Sequence, residues 1–250
     1  MLALILLTAS VTLVNAQQRT RSKPAAPTAE SQADQNRQKA MALFESGQDA
    51  HQAGKLEEAV RLYTEALEKD SSLWQAEFQR SSACFSLGKF DDARTSVKRT
   101  LELLKPFPDS PELRKITSRA NLLQGEIELA TSKYNEAETA FRRALEIQPD
   151  IAQAHSGIAQ IQLEKNQPLE AINEAKAAIA AGDDRAITHS VLGEAQLRVK
   201  QYDNAVQSFT AALERDPKNP IFLRFRAESF AAKRDLPNAI NDFRASLAIE

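Results

Sequence analysis

The sequence predicts an all-α chain wound as a solenoid of about six helical hairpins, and three observations carry that expectation. The composition favours helix: alanine, glutamate, leucine, lysine and arginine dominate, while the 250 residues include only 7 glycines and 6% aromatics. An all-β chain of this size needs more turn formers and more strand formers. One helical phrase also returns, as KLEEAVRLYTEALEKDSS from Lys55, KYNEAETAFRRALEIQPD from Lys133, QYDNAVQSFTAALERDPK from Gln201 and RDLPNAINDFRASLAIE from Arg234. Finally, it returns in phase. Ala59, Ala93, Ala137, Ala171, Ala205 and Ala239 stand 34, 44, 34, 34 and 34 residues apart.

Taken in chain order, residues 1–16 are expected to be a signal peptide. An uncharged apolar run extends from Leu2 to Val14, and Val14-Asn15-Ala16 suits cleavage after Ala16. The run falls short of the ~20 apolar residues of a membrane-spanning helix. No Lys or Arg precedes it, so either the α-amino group supplies the positive charge or the true start lies elsewhere. The expectation is an exported chain, periplasmic or secreted, with no membrane span once cleaved; the alternative is an uncleaved anchor. No cysteine follows the run, so the usual acceptor for lipoprotein acylation is absent. Residues 17–33, QQRTRSKPAAPTAESQA, carry no apolar periodicity and are expected to be a disordered tether.

The array is expected over 34–250, with repeats at about 40–73, 74–107, 118–151, 152–185, 186–219 and 220–250. Twelve residues before each marker alanine stand Gly47, Ser81, Gly125, Ala159, Gly193 and Ala227, all small. Four after it come Tyr63, Val97, Phe141, Ala175, Phe209 and Phe243; seven after, Ala66, Thr100, Ala144, Ala178, Ala212 and Ser246. Eight after it come Leu67, Leu101, Leu145, Ile179, Leu213 and Leu247. The marker and its neighbours at +4, +7 and +8 lie on one helical stripe. Large residues fill the space between helices, and small ones let backbones approach. Each hairpin has an apolar face that only stacking on its neighbours can bury.

This pattern of small, small, aromatic, small and proline at set offsets, with Pro149 and Pro217 ending second helices, resembles the tetratricopeptide repeat family. The resemblance implies a right-handed α-solenoid whose first helices face a concave surface that binds protein. Two departures stand out. Repeat four has Ala175 in the aromatic column, and ten extra residues, PDSPELRKIT at 108–117, separate repeats two and three. Ser110, Pro111 and Glu112 read as a helix start, so the insertion is expected to lengthen the first helix of repeat three by about two turns. The chain stops on a second helix with no polar capping helix after it, which points to docking through that end.

The residues exclude more chemistry than they suggest. A balance of 32 basic and 34 acidic residues offers no footprint for nucleic acid. No phosphate loop, nucleophile elbow or zinc-ligand spacing appears, so neither a catalytic centre nor a cofactor is expected. Cys84, the only cysteine, lies on an apolar helix side and reads as a small core residue. His155 and His189, 34 residues apart, read as packing and hydrogen-bonding groups at hairpin crossings.

Binding is therefore assigned to the concave face. The resemblance places Phe44, Gln48, His51, Phe78 and Phe85 there in the first two repeats. Arg119, Glu126 and Gln160 follow, then Glu194, Arg198, Arg224 and Glu228. The aromatics suit a helix-in-groove partner, and Glu126, Glu194 and Glu228 form an acidic file with Gln160 in its gap. Chaperone-binding members of the family clamp a C-terminal carboxylate with Lys and Asn; Phe44 and Gln48 occupy the first two of those places, so that function does not carry over. The leading expectation is an exported, non-catalytic scaffold for a partner protein or extended peptide. The alternative is a structural subunit of an envelope assembly, or a homo-oligomer joined through the C-terminal repeat.

Overall fold

A computed structural model describes residues 29–249, which form twelve α-helices. They run α1 (Ala29–Gln52), α2 (Leu56–Lys69), α3 (Trp74–Ser86), α4 (Phe90–Leu104), α5 (Pro111–Ala130) and α6 (Tyr134–Ile147). Then follow α7 (Ala152–Glu164), α8 (Pro168–Ala180), α9 (Ala186–Arg198), α10 (Tyr202–Arg215), α11 (Pro220–Ala232) and α12 (Leu236–Leu247). The expected signal peptide and residues 17–28 of the tether lie outside the described residues. Residues 29–33, expected in the tether, are instead helical and open α1. They escaped the sequence pattern because none of residues 32–39 is buried, so the helix runs on ahead of Ala40 with no apolar stripe to read.

Helices pair as six antiparallel hairpins, α1 with α2 through α11 with α12, and each hairpin packs on the next. First helices also touch one another along the stack (α1 with α3, and so on to α9 with α11), whereas second helices do not. The inner face is thus made of α1, α3, α5, α7, α9 and α11.

The repeating columns are the core. All six marker alanines are 0–2% exposed. An ideal Cβ at Gly125 or at Gly157 would meet the Phe141 ring at 2.5 Å, so that ring is clamped between its own first helix and the next. In the small column Ser81 donates to the Ala93 carbonyl at 2.8 Å, which lets a polar residue sit fully buried at the crossing. Repeat four, which has Ala175 in place of the aromatic, takes its bulk from α9: Ala175, Val191 and Leu192 share one buried cluster. Val191 stands where Gly157 stands one repeat earlier, so the large and small partners have exchanged helices.

Every turn within a hairpin places one residue in the left-handed region. These are Gly54, Gly88, Ser132, Asn166, Lys200 and Arg234, with φ of 56–73°. Helix α5 has 20 residues against 13 for α3, α7, α9 and α11, and the Ser110 hydroxyl accepts from the Leu113 N–H at 3.1 Å. The extra two turns are part of α5, and no loop replaces them.

At two interfaces between hairpins the residue just after the marker alanine makes charged contacts with the next first helix. Arg94 on α4 donates to both oxygens of Glu128 on α5, at 2.9 and 3.0 Å, and to Thr131 at 2.8 Å. Glu138 on α6 accepts from Gln162 and Lys165, on and just after α7, at 3.1 and 2.7 Å.

Candidate partner-binding groove

The inner face opens at its N-terminal end in a pocket of about 210 Å³ lined by Gln48, His51, Gln52, Tyr63 and Gln79. Gln48, His51 and Gln52 share one face of α1, which starts directly after the Gly47 against which the Tyr63 ring packs. Tyr63 comes from α2 behind them. Its hydroxyl is buried and has no hydrogen-bond partner, and burial pushes its pKa up to about 12. The group is therefore a neutral, unused donor at physiological pH. Gln52 and Gln79 were not among the expected residues. Gln79 lies 31 residues after Gln48 and so falls outside the 34-residue column, which passes through Ser82.

The expected aromatic anchors divide. Phe44 is 7% exposed and packs on Tyr63 with ring centroids 5.9 Å apart, so it belongs to the core and offers no surface. Phe78 and Phe85 are half-buried on α3. The Arg119 guanidinium lies 5.9 Å from the Phe78 ring centre, and Phe85 leans on Phe90 at 5.9 Å. Further along, Ile187 and Ile221, at 43% and 51% exposed, put apolar groups at the start of α9 and α11.

The expected acidic file is not a bare stripe of negative charge. Arg198 donates to Glu194 at 2.6 Å and to the Leu163 carbonyl at 2.7 Å, and Arg224 lies 3.8 Å from Glu228. Each pair joins residues one turn apart on one helix, and such neutralisation is cheap there. Gln160, one repeat before the first of these pairs, is half-buried. Burial pushes the Glu126 carboxyl above its ordinary 4.5, with the Arg185 guanidinium opposing. Arg185 is itself committed to Asp183. Burial alone would raise that carboxyl, but hydrogen bonds from Arg185 and Thr188 outweigh it and hold it at about 2. Thr188 also shares a 3.0 Å hydrogen bond with the buried Ser156 of the preceding repeat.

His155 has two polar partners, whereas the buried Nε2 of His189 makes no hydrogen bond. His155 Nδ1 faces Glu174 at 2.7 Å and Nε2 faces the Pro149 carbonyl at 3.0 Å, so both ring nitrogens are engaged. His189 is buried, its Nε2 3.5 Å from Asp184. Among the described residues no group of three or more His, Cys, Asp or Glu side chains is placed to hold a metal ion. Among the same residues no helix is long and apolar enough to cross a membrane.

What the helices and their inner face define is a helical-repeat solenoid that presents a concave surface. The family model for the tetratricopeptide repeat matches residues 44–111, 122–186 and 191–249. The chain belongs to the tetratricopeptide repeat family. It is similar to RNA polymerase II-associated protein 3 of Mus musculus, 27% identical over 124 residues, which is 50% of this chain and 17% of that protein. The chain spans no more than about a quarter of the curated relatives it matches. Among solved structures it is similar to a chain of the APC/C hetero-tetramer Cut9–Hcn1, with a TM-score of 0.67 and 18% identity over 87% of this chain and 41% of that one. It is also similar to YrrB, described as a protein of this family with an unusual peptide-binding site. There the TM-score is 0.60, with 18% identity over 75% of this chain and 92% of that one.

Proposed function

We propose that this protein is an exported, non-catalytic scaffold that holds an extended segment of a partner protein along its inner face. One observation carries the reading: the pocket of Gln48, His51, Gln52 and Gln79 over the unpartnered Tyr63 hydroxyl. Primary amides both donate and accept, which matches the alternating groups of an extended backbone. Phe78, Phe85, Ile187 and Ile221 add apolar contacts beyond that pocket. Membership of a family whose repeats mediate protein–protein interaction supports the same reading. Export rests on the apolar run Leu2–Val14 and the Ala16 site.

The test is capture of partners from the native envelope by the wild-type chain and by a Gln48→Ala, Gln79→Ala variant. Partners retained by the first and lost by the second, with equal melting temperatures, support the groove. Equal capture by both moves the site elsewhere. N-terminal sequencing of the recovered protein should begin at Gln17; an intact Met1 from a cytoplasmic fraction would refute export.

A further inference from the structure

Tyr63 breaks a rule of the array. Its column otherwise holds Val97, Phe141, Ala175, Phe209 and Phe243, all apolar, because the side chain there packs into the space between helices. Two more columns are broken at the same place. His51 stands where later repeats have Phe85, Leu129, Leu163, Leu197 and Ala231. Gln79 stands where they have Leu123, Gly157, Val191 and Phe225, none with a polar side chain. The three exceptions come from α1, α2 and α3, and they line one pocket together with Gln48 and Gln52.

Packing does not account for them. The Tyr63 hydroxyl is buried without a hydrogen-bond partner, a state that a phenylalanine would avoid. The side chains of Gln48, His51, Gln52 and Gln79 likewise make no hydrogen bond to another described residue. No such bond holds the glutamines in place, so they can turn to admit an occupant. The buried hydroxyl is destabilising until an occupant supplies its acceptor.

The lining defines that occupant. The space of about 210 Å³ is less than the roughly 300–1,000 Å³ of small-molecule sites, and it suits a single side chain. The hydroxyl lies on α2, behind the inner face, so a main chain running along that face reaches it only through a side chain. No Lys, Arg, Asp or Glu lines the pocket, so a charged group would leave water without a counter-charge. Tyr63 offers a donor, and the glutamines offer donors and acceptors. A primary amide answers both, its carbonyl accepting from Tyr63 and its NH₂ donating to a glutamine carbonyl.

We propose that the pocket seats an asparagine or glutamine side chain of the bound segment, with the Tyr63 hydroxyl as the donor that selects it. The inference rests on the groove reading above and names what the segment carries at this point.

Peptides selected from a random library on the full chain supply the probe. Asparagine or glutamine should recur at one position, and Leu, Asp or Glu placed there should weaken binding about tenfold. Tyr63→Phe restores the residue found at Phe141 and Phe209, so its melting temperature should hold or rise. Its affinity for the amide peptide should fall about tenfold while that for the Leu analogue stays unchanged. A lower melting temperature for Tyr63→Phe would assign the hydroxyl to the fold and overturn the proposal. An acidic or basic residue at the recurring position would overturn it too. Peptides lost by the Gln48→Ala, Gln79→Ala variant but held equally by wild type and Tyr63→Phe overturn this inference alone. Peptides held equally by all three chains overturn the groove reading with it.

Discussion

Lys200 holds a left-handed backbone, φ 64°, in the turn between α9 and α10, where the first two repeats place Gly54 and Gly88. A non-glycine residue pays roughly 1 kcal/mol for that conformation. Lys200 is exposed and nothing is lost with its side chain, so Lys200→Gly should raise the melting temperature in a thermal scan. The turn was legible at the two glycines but not at Ser132, Asn166, Lys200 or Arg234, because there the hydrogen bonds around it impose the conformation. Gln201, for example, donates back to the Gln196 carbonyl at 2.8 Å. A second prediction belongs to Glu126. Its folded carboxyl is raised above the ordinary 4.5, so the folded state favours the protonated form. The stability this gives is complete below that value and is lost as pH rises through the raised one. Glu126→Gln should therefore stabilise the chain at pH 7 relative to wild type and change little at pH 3, as melting curves at both pH values would show.

Among the elements, α5 was the most readable in detail and the inner face of α1 the least. Ser110, Pro111 and Glu112 spell a helix start whatever surrounds them, because a cap is local chemistry. Ser110→Ala removes the hydroxyl that meets the Leu113 N–H and should cost about 1 kcal/mol. Denaturant titration would measure it, and Ser110→Asp should restore most of the loss. Phe44 shows the opposite case. Spacing assigns it to the same side of α1 as Gln48, but residues four apart are related by only about 40° around the axis and by one turn along it. The deciding fact is the Tyr63 ring, which comes from another helix and fills the space beneath Phe44. The arginines beside Glu194 and Glu228 were present in the sequence and unread as partners, because the acidic column was followed across repeats and not along each helix.

For the whole molecule, the 34-residue rhythm was enough to set the order and number of hairpins, since every copy buries the same small and large columns. The rhythm did not show where hairpins differ in what they present to each other. Arg94 and Glu138 occupy the same place on their helices, one residue after the markers Ala93 and Ala137, yet carry opposite charge. Glu128 and Thr131 answer the first; Gln162 and Lys165, 34 residues on, answer the second. Excising 118–151 would bring Arg94 against Gln162 and Lys165, a cation facing a cation, with only the exposed Asp91 of its own helix left to Arg94 in place of the buried Glu128. Excising 186–219 would bring Ile172 against Phe230, which is apolar on both sides. The first deletion should lower the melting temperature well below the second, although each removes one repeat. Such a chain is no longer a string of interchangeable units. Its second, third and fourth copies have become a single heritable block, and any further lengthening or shortening of the gene by whole repeats is confined to the stretches on either side of it.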